Sequence, residues 1–269
     1  MPLLVLLRRS TAQARFVLGG CLCLLAGFQL ILVAQAASIE ESQAFGRMAD
    51  LLPAFLQRGV GSKALLLASF KGTIAFGYFH PVIAVLISIL AVYFATEPAY
   101  EVESGLVDLE LSRSLPRERL ITRSLVLALA APVAASIVMR VGTWGGLRMF
   151  ASPSFEPPSA DMLLRLQIHL VAVAWCFGAF ALAIGAGARR WSTAFTICTL
   201  TTVVLYLLDY LAIGWRPAKV ISWISPFEYY PAFSIMAGPV PLARNLGVLL
   251  TTALAFTGIA YWRFSRRDL

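Results

Sequence analysis

The chain has 269 residues, 59% of them hydrophobic and 13% charged, with a mean hydropathy of +0.79. Soluble domains carry about 25% charged residues, so the composition excludes an ordinary soluble protein and implies an all-α polytopic membrane protein. The net charge of +8 does not point to nucleic acid: the basic residues are scattered between apolar runs, where anionic lipid and membrane orientation account for them.

In chain order, residues 1–15 are a short apolar patch followed by Arg8, Arg9 and Arg15, the pattern of an amphipathic segment lying on a membrane surface. The first span is expected over 16–36. Its apolar run is longer than the 7–15 residues usual in a signal peptide, so a retained helix is expected. Gly19, Cys23 and Gly27 give it one small-residue face. A polar connector follows, then a second span over 73–95 with His80-Pro81 near its start.

The third span is expected over 120–141, with Pro132 as a kink point. The stretch 142–161, rich in Gly, Pro and Ser, reads as a loop. The fourth span is expected over 162–188, with Ala179, Ala183 and Gly187 as a second small-residue stripe, and the fifth over 191–214 after a hinge at Arg189-Arg190. Residues 215–243 are too broken by proline to span and too apolar for a plain loop, so a re-entrant segment is expected there. The sixth span is expected over 245–262, before a basic tail. Six spans place both termini on one side. The arginine pair at 189–190 and the basic tail assign that side to the cytoplasm.

Several residues invite chemical readings. The four cysteines (Cys21, Cys23, Cys176, Cys198) all sit in apolar runs and read as packing residues, not as a disulfide or zinc framework. His80 and His169 fall at similar depth, but no third ligand accompanies them, and they are expected to bind no metal or haem. Asp209 lies well inside an apolar run, so a partner is required. Arg140 is the expected mate in an intramembrane ion pair. Threonines 193, 196, 199, 201 and 202 either line a polar path or bond their own helix. No G-x-x-x-x-G-K-[ST] motif is present, so the chain itself is expected to be no enzyme and to hold no cofactor.

The stretch 97–123, EPAYEVESGLVDLELSRSLPRERLITR, is where charges of both signs crowd together between two spans. A short helix is expected here, entered at Gly105 and stopped at Pro116. Leu106, Val107, Leu109 and Leu111 would form its apolar face, and Asp108, Glu110 and Arg113 its polar one.

Glu103-Ser104-Gly105, Leu109-Glu110-Leu111 and Pro116-Arg117-Glu118-Arg119 resemble the E-x-G-T-x-x-x-L-L-x-x-P-x-x-R pattern of ABC exporter permeases of the six-helix, ABC-2 type. Leu106 stands where that pattern has Thr, and Glu110 interrupts its leucine pair. The ending Phe264-Ser265-Arg266-Arg267-Asp268-Leu269 and the segment with Ser225-Pro226-Phe227 before the last span are similar to that family as well. The resemblance implies a permease subunit in the bacterial inner membrane that pairs with a second permease copy. It also implies two copies of a separate ATPase subunit, which would hold the ATP and Mg. Loop 97–119 would be the cytoplasmic coupling loop, with Glu103, Gly105, Asp108, Glu110, Arg113, Pro116 and Arg119 carrying the coupling to the ATPase, and Asp108, Glu110 and Arg113 facing it. Spans two and five would flank the path, and residues 215–243 would form the outer gate. A standalone channel or ion-coupled transporter, or a membrane haem protein, is the alternative class. No motif specifies a cargo.

Overall fold

The computed structural model describes residues 2–42, 67, 69–106, 118–238 and 242–266, and among them every regular element is helical. The helices are α1 (Pro2–Gln13), α2 (Arg15–Glu41), α3 (Phe70–Phe79), α4 (Pro81–Ala95) and α5 (Glu97–Glu103). They continue with α6 (Glu118–Phe150), α7 (Ala160–Gly185), α8 (Trp191–Ala212), α9 (Arg216–Ile221), α10 (Ala232–Ala237) and α11 (Ala243–Ser265). Six stretches are long and apolar enough to cross a membrane: α2, α3 with α4, α6, α7, α8 and α11. The protein is therefore a multi-pass membrane protein.

Local chemistry sets most boundaries. The Ser69 hydroxyl accepts the Gly72 amide at 3.1 Å, and Ser159 accepts the Met162 amide at 3.2 Å; each satisfies a donor that a helix N-terminus leaves open. Asp161, in the first turn of α7, pairs with Arg165 at 2.7 Å one turn on. Span two is not one helix. His80 takes an extended backbone, ψ 133, ahead of Pro81, because proline drives its predecessor out of the helical region and donates no amide.

The third span departs most from expectation. Residues 142–150, read from composition as the start of a loop, continue the helix to Phe150. The reason is tertiary. A Cβ on Gly142 would meet the Ala26 carbonyl oxygen at 2.5 Å, and one on Gly146 would meet Val33 Cβ at 2.8 Å. These glycines let α6 lie directly against α2, where van der Waals packing at small residues is what holds membrane helices together. The small residues that α2 itself offers, Gly19 and Gly27, meet no neighbouring heavy atom. The stripe of span four is used differently again: Ala179 and Ala183 are buried inside the chain, and Gly187 lies against Arg263.

The core is α4, α6 and α7. In the most apolar stretch of α7, 72% of residues are buried, against 17% in each of α2, α8 and α11. The bundle has two distinct ends. At one, the terminal end, lie α1, α5, the start of α8 and the end of α11. The opposite, far end holds the α6–α7 connection and residues 215–238. There the short helices of 215–238 seat on the spans: Ser225 donates to the Leu205 carbonyl at 2.9 Å, and the Phe227 ring sits 5.1 Å from both Phe177 and Tyr206. Tyr230 donates to the Tyr78 carbonyl at 3.3 Å; burial and the Tyr78 phenol push its own phenol well above the ordinary value. It thus stays a donor at any physiological pH.

Candidate functional site

The terminal end carries the densest polar architecture, and it begins with α5. Thr96 closes α4, and Pro98 at the start of α5 restarts a helix at once, since a first-turn proline loses no helical bond. Gly105 ends the segment at φ +70, the left-handed conformation that glycine adopts without penalty just past a helix. Gly105 thus ends α5, and Leu106 directly after it is helical again, at the position where the sequence pattern has a helix entered. The segment 107–117, with Asp108, Glu110, Arg113 and Pro116, lies outside the described residues.

The seven residues of α5 then join three other elements. Glu101, 3% exposed, grips Arg123 of α6, 1% exposed; the Arg123 Nη2 donates to Glu101 Oε2 at 2.9 Å while its Nη1 donates to Oε1. Arg123 Nε also stands 3.6 Å from Glu97 Oε2, and Ser10 of α1 donates to Glu97 Oε1 at 2.6 Å. A bidentate pair of this kind is geometrically exacting, and once buried it is costly to break because either charge alone is stranded.

Glu103 points elsewhere. Its Oε2 accepts the backbone amide of Trp191 at 2.8 Å, the first residue of α8, where a negative charge meets the positive end of the helix dipole. The Trp191 indole donates to Thr96 Oγ1 at 3.2 Å, and its ring stacks on Phe195 at 5.2 Å with Tyr93 and Tyr100 edge-on. The start of span five is thereby fastened to the end of span two and to α5. A cleft of about 310 Å³ opens beside it, lined by Ser10, Glu97 and the rings of Tyr93, Tyr100 and Trp191. Span six joins the same end: the Tyr261 and Thr122 hydroxyls are 2.7 Å apart, and Arg263 donates to the Ala183 carbonyl at 3.2 Å. Arg119 stands in the first turn of α6, next to this ring.

The expected ion pair of Asp209 with Arg140 does not form. Arg140 Nε donates to Gln167 Oε1 at 2.7 Å, and Gln167 in turn donates to the Ser136 carbonyl. Asp209 lies instead near the carboxyl group of Glu228. Counting residues from span ends placed Asp209 and Arg140 at similar depth, but they lie on helices that turn these side chains to different neighbours. The two histidines have different neighbours. His80 sits among the rings of Phe28 and Phe76, and His169 bonds the Arg165 carbonyl at 2.8 Å and stacks on Tyr230. Among the threonines of α8, Thr201 and Thr202 donate to carbonyls one turn back, at 2.8 and 2.9 Å, so these hydroxyls serve their own helix.

Glu101 and Arg123 were in the charged stretch but not among the residues singled out there. The signal was present: Arg123 stands one position from Ser124 and one turn from Leu120 and Leu127, all buried, so helical periodicity puts its charge on the inward face.

Residues 13–265 match the family model described as multidrug efflux system permease Rv1217c, C-terminal domain. No curated protein matches the chain.

Proposed function

We propose, from the premise that this chain belongs to the family of the multidrug efflux system permease Rv1217c, C-terminal domain, that it is the membrane-spanning subunit of an ATP-driven exporter. A transport role follows from the family. Coupling to a separate ATPase is the further step, and one observation carries it: α5 is held at once to span three through Glu101–Arg123 and to span five through Glu103–Trp191. A push on a short rigid helix so fastened moves two spans together, whereas a free loop would dissipate it.

In this reading the terminal end faces the cytoplasm of the bacterial inner membrane, with both termini there, and receives two ATPase subunits that bind the ATP and Mg. A second permease copy completes the path. Three spans whose most apolar stretches are only 17% buried, α2, α8 and α11, leave area for that pairing. The cargo class suggested by the family description is drugs.

The test is Glu103→Gln, assayed with the cognate ATPase. The side chain is exposed, and a carboxylate at a helix N-terminus contributes about 0.3–1 kcal/mol. Folding and ATPase co-purification should therefore persist, while permease-dependent stimulation of ATP hydrolysis falls about two- to fivefold. Stimulation equal to that of the unmodified chain, or no ATPase retained by either, overturns the reading.

A further inference from the structure

Between α6, α7 and α11 in the far half of the bundle runs a groove of about 670 Å³, open to the membrane. Its walls are mostly aliphatic, from Leu129, Val133 and Ile137 on α6, Val171 on α7 and Leu250 on α11, with Trp175 among them. It extends from Val141 inward to Leu129, a run of about 18 Å at 1.5 Å per residue, close to one leaflet of a hydrocarbon core about 30 Å thick.

One charge stands in it. Arg140 lines the groove, and so does its neutral partner Gln167, while no acid is among the lining residues. The guanidinium makes one bond, from Nε to Gln167 at 2.7 Å, and its Nη2 is buried with no hydrogen-bond partner among the described residues. Arg140 has no carboxylate partner among them either. A guanidinium inside a membrane span without a counter-ion is expensive, and such residues pair, reach toward the interface or draw polar groups inward. The interface is near. Arg148, two turns or about 12 Å further along α6, lies over the Trp144 ring at 3.8 Å, the aromatic-and-arginine signature of a headgroup boundary. The groove therefore has its cation at the headgroup side and its apolar length below.

We propose that this groove is a binding site for an anionic phospholipid of the leaflet at the far end, its phosphate on Arg140 and one acyl chain along Val133, Ile137 and Leu129. Charge complementarity selects the lipid: a net-negative headgroup supplies the counter-ion that the protein omits, and the planar guanidinium offers paired donors that suit phosphate oxygens. A zwitterionic headgroup brings its own cation and gains less. The site lies on the opposite half of the molecule from α5, and its occupancy stands or falls separately from ATPase coupling.

The experiment is native mass spectrometry of the full chain in mild detergent, with phosphatidylglycerol or phosphatidylcholine of matched acyl chains added. The unmodified chain should retain phosphatidylglycerol about tenfold better, the size expected of a hydrogen bond to a charged group. Arg140→Gln should bring retention down to the phosphatidylcholine level. Ile137→Trp, at a position 56% exposed toward the membrane, should displace lipid with the charge intact, and it decides the matter if Arg140→Gln fails to fold. Equal retention of the two lipids by the unmodified chain overturns the proposal. So does phosphatidylglycerol retention unaltered by Ile137→Trp, which would reduce Arg140 to a diffuse charge effect. Capture of dodecyl phosphate with no competition from phosphatidylglycerol would likewise replace the membrane lipid by a free amphiphile.

Discussion

Two arginines of one helix show how differently a membrane protein treats the same side chain. Arg123 and Arg140 both belong to α6, separated by about 25 Å of helix. Arg123 is 1% exposed and is enclosed by its own chain, with Glu101 gripping it bidentately and Glu97 alongside. Among the described residues, Arg140 bonds one amide side chain, Gln167, and it opens onto a groove with no acid among its lining residues. The first arginine is satisfied in advance and so acts as a fastener; the second is left for something from outside. Burial by itself does not make a charge structural. What decides is whether the fold brings up the opposite charge.

The sharpest way to break this contrast is to strip each arginine of its partner. Glu101→Ala should destabilise the chain by about 3–5 kcal/mol, because it strands a buried guanidinium. The double change Glu101→Gln with Arg123→Gln should recover most of that loss, since both charges of the bidentate pair are gone and Glu97 keeps its bond from Ser10. Chemical unfolding in micelles measures both, and equal stability of the single and double variants would show that the pair is not the fastener.

Arg140→Gln is the counterpart at the far end. It removes one hydrogen bond to a neutral acceptor and should cost about 1 kcal/mol in lipid-free micelles, well below the Glu101 effect. A loss as large as that of Glu101→Ala would mean that Arg140 has a structural partner after all.

The smallest effect is expected for Asp209→Asn. Asp209 faces Glu228, another carboxyl group, so removing its charge takes away repulsion and should leave stability within about 0.5 kcal/mol. An ion pair with Arg140 would instead make this substitution and Arg140→Gln costly together and non-additive, which a double-mutant cycle detects.

The candidate site was only partly legible beforehand. That 97–106 mattered was readable from its charge density, and Glu103 and Gly105 were named from their place in the family pattern. What they do was not. The pattern suggested a carboxylate facing a partner protein, and the structure turns Glu103 onto the amide of Trp191 in its own span five. These residues are 88 positions apart, and no local propensity carries information over such a separation. Glu101 and Arg123 could have been found from the helical phase of Arg123, but a charged stretch rich in acids offers several possible mates, and only packing selects one.

Hydropathy and proline spacing determine that this chain crosses a membrane with six helical segments and that 215–243 cannot span, because bilayer thickness and backbone hydrogen bonding act on each segment separately. Which helices lie side by side belongs to the tertiary structure alone. Gly142 and Gly146 look like loop residues until α2 is laid against them, and the far part of span three is a helix because that contact exists. The same holds for charge. A sequence shows that Arg123, Arg140 and Asp209 each need an answer in a low-dielectric surround. The answer depends on the direction in which two helices distant in sequence present their faces, and that is settled only when they pack.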